Sequence, residues 1–320
     1  MFRLAAPALA ALALSASLAP AATLGGHTSF FVFGDSLSDP GNLYAATGGT
    51  VPASPPYWNG RFSNGPTWAE DVAADFTAKG LATGNFAFGK ANAIPDADPI
   101  PDLPTQIGLF DATVPAAALG SSPLAAIWIG ANDLFGALDA GLDTAGVVAT
   151  AIAAARAEAA SIAALATRGI TDFVVLNLAD IGTTPWYTLI EPGKAASATA
   201  GAEAFNAELA DQLALLRKTG LDVTAIDTHA LFEELQADPA AFGLADATTP
   251  CLIPGVKLCS TEEADKLAFF DLVHPTKQIH SRIAEIVENA LEPAAVPLPA
   301  SAPLLAGALG LLTLRRRRAA

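Results

Sequence analysis

Ser29-Phe30-Phe31-Val32-Phe33 runs directly into Gly34-Asp35-Ser36-Leu37, and this junction decides how the chain folds. A short unbroken apolar run closed by a glycine is the pattern of a strand buried on both faces. It returns at Ala125-Ala126-Ile127-Trp128-Ile129, closed by Gly130, at Asp172-Phe173-Val174-Val175-Leu176, and over 221–226. Between these runs lie stretches that read as helices, over 67–79, 144–167 and 195–218, with a last one over 277–291. Apolar strands separated by helices long enough to cross back over a sheet predict an α/β fold with a parallel sheet covered on both faces. Polar residues stand just past the strand ends, where open sheets of this kind bind ligands.

Ser36 is the first of these polar residues. On a turn after a buried strand its hydroxyl would stand above the sheet, with Gly34 permitting the tight backbone; the plainer alternative is that Asp35 or Ser36 caps a helix. A serine hydroxyl needs a base to become a useful nucleophile. The chain has four histidines, His27, His229, His274 and His280. Only His274 lies in a segment suited to the task, Phe269-Phe270-Asp271-Leu272-Val273-His274-Pro275-Thr276. Pro275 keeps His274 out of helical geometry, and Asp271 on the same turn can receive the imidazole Nδ1–H and stabilise the imidazolium. His27 lies in the glycine-rich start, His229 opens a helix after a strand, and His280 falls within the last helix.

Acyl transfer also needs donors for a developing oxyanion. Gly130-Ala131-Asn132-Asp133 follows a strand, so the Asn132 amide can point into the same crevice, and Asn85-Phe86-Ala87-Phe88-Gly89 offers the Gly89 N–H. The Ser36 N–H would be the third donor. Taken singly, Asn132 and Gly89 also read as ordinary turn residues.

Taken together, Phe-Gly-Asp-Ser-Leu-Ser-Asp at 33–39, Asn-Phe-Ala-Phe-Gly at 85–89, Ile-Gly-Ala-Asn-Asp at 129–133 and Asp-Leu-Val-His-Pro at 271–275 resemble the GDSL (SGNH) hydrolases in order and context. The stretches 59–68 and 175–185 add to the likeness, which extends over roughly 28–291. The resemblance implies a three-layer α/β/α sandwich of flavodoxin-like kind around a five-stranded parallel sheet. It also implies ester hydrolysis through an acyl-enzyme with no cofactor. It assigns Ser36, Asp271 and His274 to catalysis and Ser36, Gly89 and Asn132 to the oxyanion hole. Lys90 departs from the pattern, since the family often has a second small residue after the glycine of its second block. The N–H that serves the oxyanion on this segment therefore stays open, and Lys90 is either a cation bordering the site or a solvated side chain. Esterase or lipase, phospholipase or acyltransferase, and polysaccharide deacetylase would share these residues, and a surface protein with an inactive esterase fold is the alternative of a different class.

Both ends of the 320-residue chain read as addresses. Arg3, an Ala/Leu run and Ala19-Pro20-Ala21 make 1–21 a cleaved signal peptide. A hydrolase domain over 22–292 follows. At 293–320, Val296-Pro297-Leu298-Pro299-Ala300, an apolar run over 302–314 and Arg315 to Arg318 resemble a VPLPA-type PEP-CTERM sorting signal. That resemblance implies export to the periplasm, cell surface or medium and sorting machinery as a partner; a simple C-terminal anchor is the alternative. Without Arg3 and the tail arginines, 12 basic residues face 32 acidic ones, a field that repels phosphate backbones and excludes nucleic acid as a partner.

Cys251 and Cys259 are the only cysteines, and so close a pair in an exported chain predicts a disulfide. The loop between them would either wall an acyl pocket or stiffen the surface. No metal site is read, since zinc spacing is missing and Asp35, Asp39 and Asn42 lack the rest of a calcium loop. Gly84 to Lys90 only approximates a phosphate-binding loop, with bulky Phe86 and Phe88 inside it and Ala91 where a hydroxyl would hold Mg²⁺.

Overall fold

The computed structural model describes residues 23–292. The signal peptide expected over 1–21 and the tail expected over 293–320 lie outside them. The apolar runs form four parallel strands, β1 (Ser29–Gly34), β3 (Pro123–Trp128), β4 (Asp172–Leu176) and β5 (Asp222–Ile226). A fifth, β2 (Ala82–Asn85), adds to the outer edge of β1, so the sheet order is β2-β1-β3-β4-β5.

Ten α-helices accompany the sheet among the described residues. In chain order they are α1 (Asn42–Ala46), α2 (Trp68–Ala78), α3 (Leu103–Thr113), α4 (Ala116–Leu119), α5 (Ala131–Asp139), α6 (Thr144–Ala166), α7 (Ala195–Lys218), α8 (Thr228–Ala237), α9 (Thr261–Ala264) and α10 (Lys277–Leu291). The twofold alternation of each strand splits the interior into two cores. Phe31, Phe33, Ile127 and Val175 face one side, where α3, α5, α6 and α7 cover them. Phe30, Val32, Ala126 and Val174 face the other, where α2, α8 and α10 close the layer. Burying such side chains stabilises by about 1.5–3 kcal/mol each, which is what holds the three layers together. α6 presents a face of alanines to α7, which lets the two backbones approach closely.

Two short strand pairs complete the fold beyond β5. β6 (Asp246–Pro250) runs beside β9 (Leu267–Phe269), and β7 (Leu252–Ile253) with β8 (Lys257–Leu258) makes a hairpin. Cys251 and Cys259 are joined by a disulfide across the hairpin. Its inner side rests on a small cluster of Cys251, Leu252, Ala264 and Phe270, with Tyr57 packed against it.

Candidate active site

Ser36 stands on the turn that leaves β1 at the carboxyl end of the sheet. Gly34 turns there with φ 153°, and a Cβ at that position would lie 2.3 Å from the Trp128 carbonyl oxygen. Only glycine lets β1 run this close to β3 as it turns. Gln106, fully buried on α3, brackets the same peptide: Gly34 N–H donates to its Oε1 at 2.9 Å, and its Nε2 donates to the Gly34 carbonyl at 2.8 Å. The turn is then closed by Leu37 N–H donating to Asp35 Oδ1 and by Ser38 N–H donating to the Asp35 carbonyl. Burial pushes the Asp35 carboxyl up to about 7, and its place beneath the turn leaves the Ser36 hydroxyl facing outward.

The loop between β9 and α10 brings the base to this hydroxyl. Ser36 Oγ lies 2.8 Å from His274 Nε2, and His274 Nδ1 lies 2.7 Å from Asp271 Oδ2. Ser36 therefore donates to Nε2 while Nδ1–H donates to the carboxylate, the tautomer that proton removal from a nucleophile requires. Asp271 is 5% exposed. Burial pushes its carboxyl up, but the His274 charge, the bonds from His274 and Tyr57 and the Val273 N–H outweigh it and hold Asp271 below its usual range. Its other oxygen accepts from the Val273 and His274 N–H groups at 2.8 and 2.7 Å. The remaining histidines stay apart from this relay. His280, buried in α10, accepts from the Trp68 N–H at 3.3 Å, and burial pushes it down to about 3.

The donors around Ser36 differ from the expected set at one position. The Gly89 N–H donates to Asp39 Oδ2 at 2.7 Å, so it is not available to an oxyanion. Gly89 is needed for space instead, because a Cβ there would fall 2.2 Å from the Phe62 ring, and that ring packs on His274 with centroids 5.1 Å apart. The following residue, Lys90, takes φ 70° and lines the cavity in front of Ser36. Among the described residues neither the Lys90 N–H nor the Ser36 N–H donates to a protein acceptor. Asn132, at the start of α5, lines the same cavity and spends one amide hydrogen on the Ala91 carbonyl at 2.9 Å, leaving the second for a ligand. Asp133 ties down the same loop by accepting from the Ala93 and Ile94 N–H groups. Ser36, Lys90 and Asn132, all lining one cavity, can thus supply three donors to it.

Asp39 shapes this arrangement. Its two oxygens accept four backbone N–H groups, from Gly41, Asn42, Leu43 and Gly89. The carboxylate that loosely suggested a calcium ligand is occupied by the chain itself. The cavity measures about 710 Å³ and its walls carry Phe62, Phe135, Leu178 and Trp186. Pro254, from the disulfide-closed hairpin, forms part of the wall, whereas Val256 and Leu258 of the same hairpin are exposed. The stapled loop therefore contributes one residue to the cavity wall and leaves its tip at the surface.

A nucleophile with a hydrogen-bonded base, a buried carboxylate behind the base and free N–H donors in front of it is what acyl transfer requires. Residues 30–287 match the GDSL-like Lipase/Acylhydrolase family. The chain belongs to this family. It is 32% identical over 229 residues to the phosphatidylcholine-sterol acyltransferase of Aeromonas hydrophila, a match covering 69% of this chain and 64% of that protein. It is 28% identical over 266 residues to the thermolabile hemolysin of Vibrio parahaemolyticus, covering 79% of this chain and 61% of that one. The matches thus span less than two thirds of either relative. Among solved structures, phospholipase A1 from Streptomyces albidoflavus NA297 aligns with a TM-score of 0.47 at 15% identity, over 84% of this chain and all of that one. The five-stranded parallel sheet between two helical layers is the architecture that the family resemblance implied.

Proposed function

We propose that the chain is a serine hydrolase that cleaves carboxylic esters, as an esterase or lipase, through an acyl-enzyme on Ser36. The observation that carries this reading is the relay from Asp271 through His274 to the Ser36 hydroxyl, with contacts of 2.7 and 2.8 Å, opening onto a largely apolar cavity. His274 Nε2 takes the proton as Ser36 Oγ attacks the ester carbonyl, and Asp271 stabilises the imidazolium. The carbonyl oxygen, now an oxyanion, is held by the Ser36 and Lys90 N–H groups and the Asn132 amide. His274 returns its proton to the leaving alcohol. Water then repeats the cycle on the acyl-enzyme and restores Ser36.

The aromatic and aliphatic walls suit an acyl chain. The likeness to the Aeromonas phosphatidylcholine-sterol acyltransferase supports a lipid ester as substrate and an alcohol in place of water as acyl acceptor. Acetylated polysaccharide is the alternative on the same residues. The leader over 1–21 would export the chain, and the tail over 293–320 would hand it to a PEP-CTERM type sorting system at the cell surface; the charged start, apolar core and small residues of the leader and the VPLPA, apolar and arginine blocks of the tail support this.

Initial rates on nitrophenyl esters from acetyl to palmitoyl, beside phosphatidylcholine and acetylated xylan, with and without an added alcohol, test the reading. Turnover of acyl esters that grows with chain length supports it. No turnover of any ester overturns it.

A further inference from the structure

Tyr57 reaches the same carboxylate from a part of the chain 214 residues away. Its hydroxyl donates to Asp271 Oδ2 at 2.6 Å, the oxygen that also receives His274 Nδ1–H. With the Val273 and His274 N–H groups on Oδ1, Asp271 accepts four hydrogen bonds, which fills the acceptor capacity of a carboxylate. Tyr57 is held there by its ring, which lies edge-on to Phe270 and Phe62 at centroid distances of 5.3 and 6.0 Å. Burial, with Asp271 beside it, pushes the Tyr57 phenol well above its ordinary range, which favours the protonated hydroxyl as the donor in this bond.

We propose that Tyr57 is a positioning residue for the base: it fixes the rotation of the Asp271 carboxyl and, by sharing Oδ2 with His274, sets the pH at which the imidazole becomes free to accept the Ser36 proton. Two donors on one oxygen divide its charge. A carboxylate relieved of Tyr57 is a stronger partner for the imidazolium, so His274 would hold its proton to higher pH. The tyrosine thereby keeps the base unprotonated, and Ser36 activable, further toward the acid side. The other ionisable groups around the pair are Asp35 beneath the Ser36 turn, His280 in α10, and Lys90, Asp139 and Asp180 on the cavity wall. None of them bonds Asp271 or the His274 ring, so removing one hydroxyl isolates the effect of Tyr57.

This inference rests on the proposed hydrolase reading for its consequence in catalysis but not for its physical basis, and the test separates the two. Tyr57→Phe keeps the ring between Phe62 and Phe270 and deletes only the donor. The His274 imidazole is followed by NMR across pH in the free protein, and kcat/KM is measured on a soluble nitrophenyl ester over the same range. In the variant both the imidazole titration and the acid limb of kcat/KM move to higher pH by about 0.5–1 unit, roughly a 3–10-fold loss of rate on the acid side, while the alkaline plateau changes little. A titration that stays in place while the melting temperature drops makes Tyr57 a structural tie and overturns the proposal, as does a shift to lower pH. Should Tyr57→Phe not fold, 3-fluorotyrosine at position 57 is a stronger donor, and the titration should then move to lower pH; no movement overturns the proposal. A shifted imidazole in a protein that cleaves no ester would sustain the role of Tyr57 and overturn the hydrolase reading instead.

Discussion

Replacing Asp39 by asparagine tests whether one buried carboxylate organises both the nucleophile turn and the oxyanion turn. Asp39 is fully buried and takes the N–H groups of Gly41 and Asn42 on one oxygen and those of Leu43 and Gly89 on the other. An amide retains one acceptor oxygen and aims its NH₂ at the other pair of donors, so two charge-assisted bonds are lost. Hydrogen bonds to charged groups are worth about 1.5–3 kcal/mol each, or about 3–6 kcal/mol for two. Relief of a buried charge offsets part of this, because burial pushes the Asp39 carboxyl above its usual range despite the four N–H groups that favour its ionised form. A net loss of about 2–4 kcal/mol corresponds to a fall in Tm of roughly 5–15 °C for a domain of this size. The Gly89–Lys90 peptide loosens as well, and misplacing one oxyanion donor should cost about 10–100-fold in kcat. Calorimetry and kcat per titrated active site, both on Asp39→Asn well below its melting range, give the two values. A Tm within 2 °C of wild type, on the order of 1 kcal/mol or less, with unchanged kcat would refute the organising role.

Asn132→Ala removes a donor that matters only once the oxyanion forms, so kcat should fall by about 10²–10³ with KM changed a few-fold; wild-type turnover in the surviving folded fraction would reduce Asn132 to a tie on the Ala91 carbonyl. Glu158→Gln bears on stability rather than rate. Glu158 is fully buried on α6, both carboxyl oxygens lack a hydrogen-bond partner among the described residues, and burial, with Asp133 and Asp35 adding to it, pushes the group well above its ordinary value of 4.5. A raised acid favours the fold fully below its unfolded value, and that contribution is lost as pH rises toward the folded one. The melting advantage of the glutamine variant over wild type should therefore grow from pH 4 to pH 8, and a constant difference would show that Glu158 titrates in the fold as it does in the unfolded chain.

The chain advertises its central strands because residues buried on both faces leave unbroken apolar runs, as in Phe30 to Phe33 and Phe173 to Leu176. β2 leaves no such trace: Ala-Thr-Gly-Asn forms a partly exposed edge, and its place came only through the family likeness. The meeting of Ser36, Asp271 and His274, with Asn132 on the same cavity, was legible because each sits in a short motif beside a strand or turn. Tyr57, Gln106 and Asp39 were not, since their partners lie 214, 72 and 50 residues away and no local pattern records such contacts. Gly89 misled because its missing Cβ suggested an open N–H, whereas the space serves Phe62 and the N–H serves Asp39. The positive φ of Lys90, rare for a side chain other than Asn or Asp, was foreshadowed only by the departure from the family pattern at that position.

The central claim is that the Ser36 hydroxyl, activated by His274 across 2.8 Å, performs the attack. Intact-mass spectrometry with peptide mapping after treatment with a fluorophosphonate measures this without knowledge of the substrate. The folded chain should gain a single adduct on the peptide bearing Ser36. His274→Ala should react at least about 10³-fold more slowly, since members of such a relay act as a unit, and Ser36→Ala should gain none. An adduct on another residue, or equal labelling with and without His274, would contradict the account.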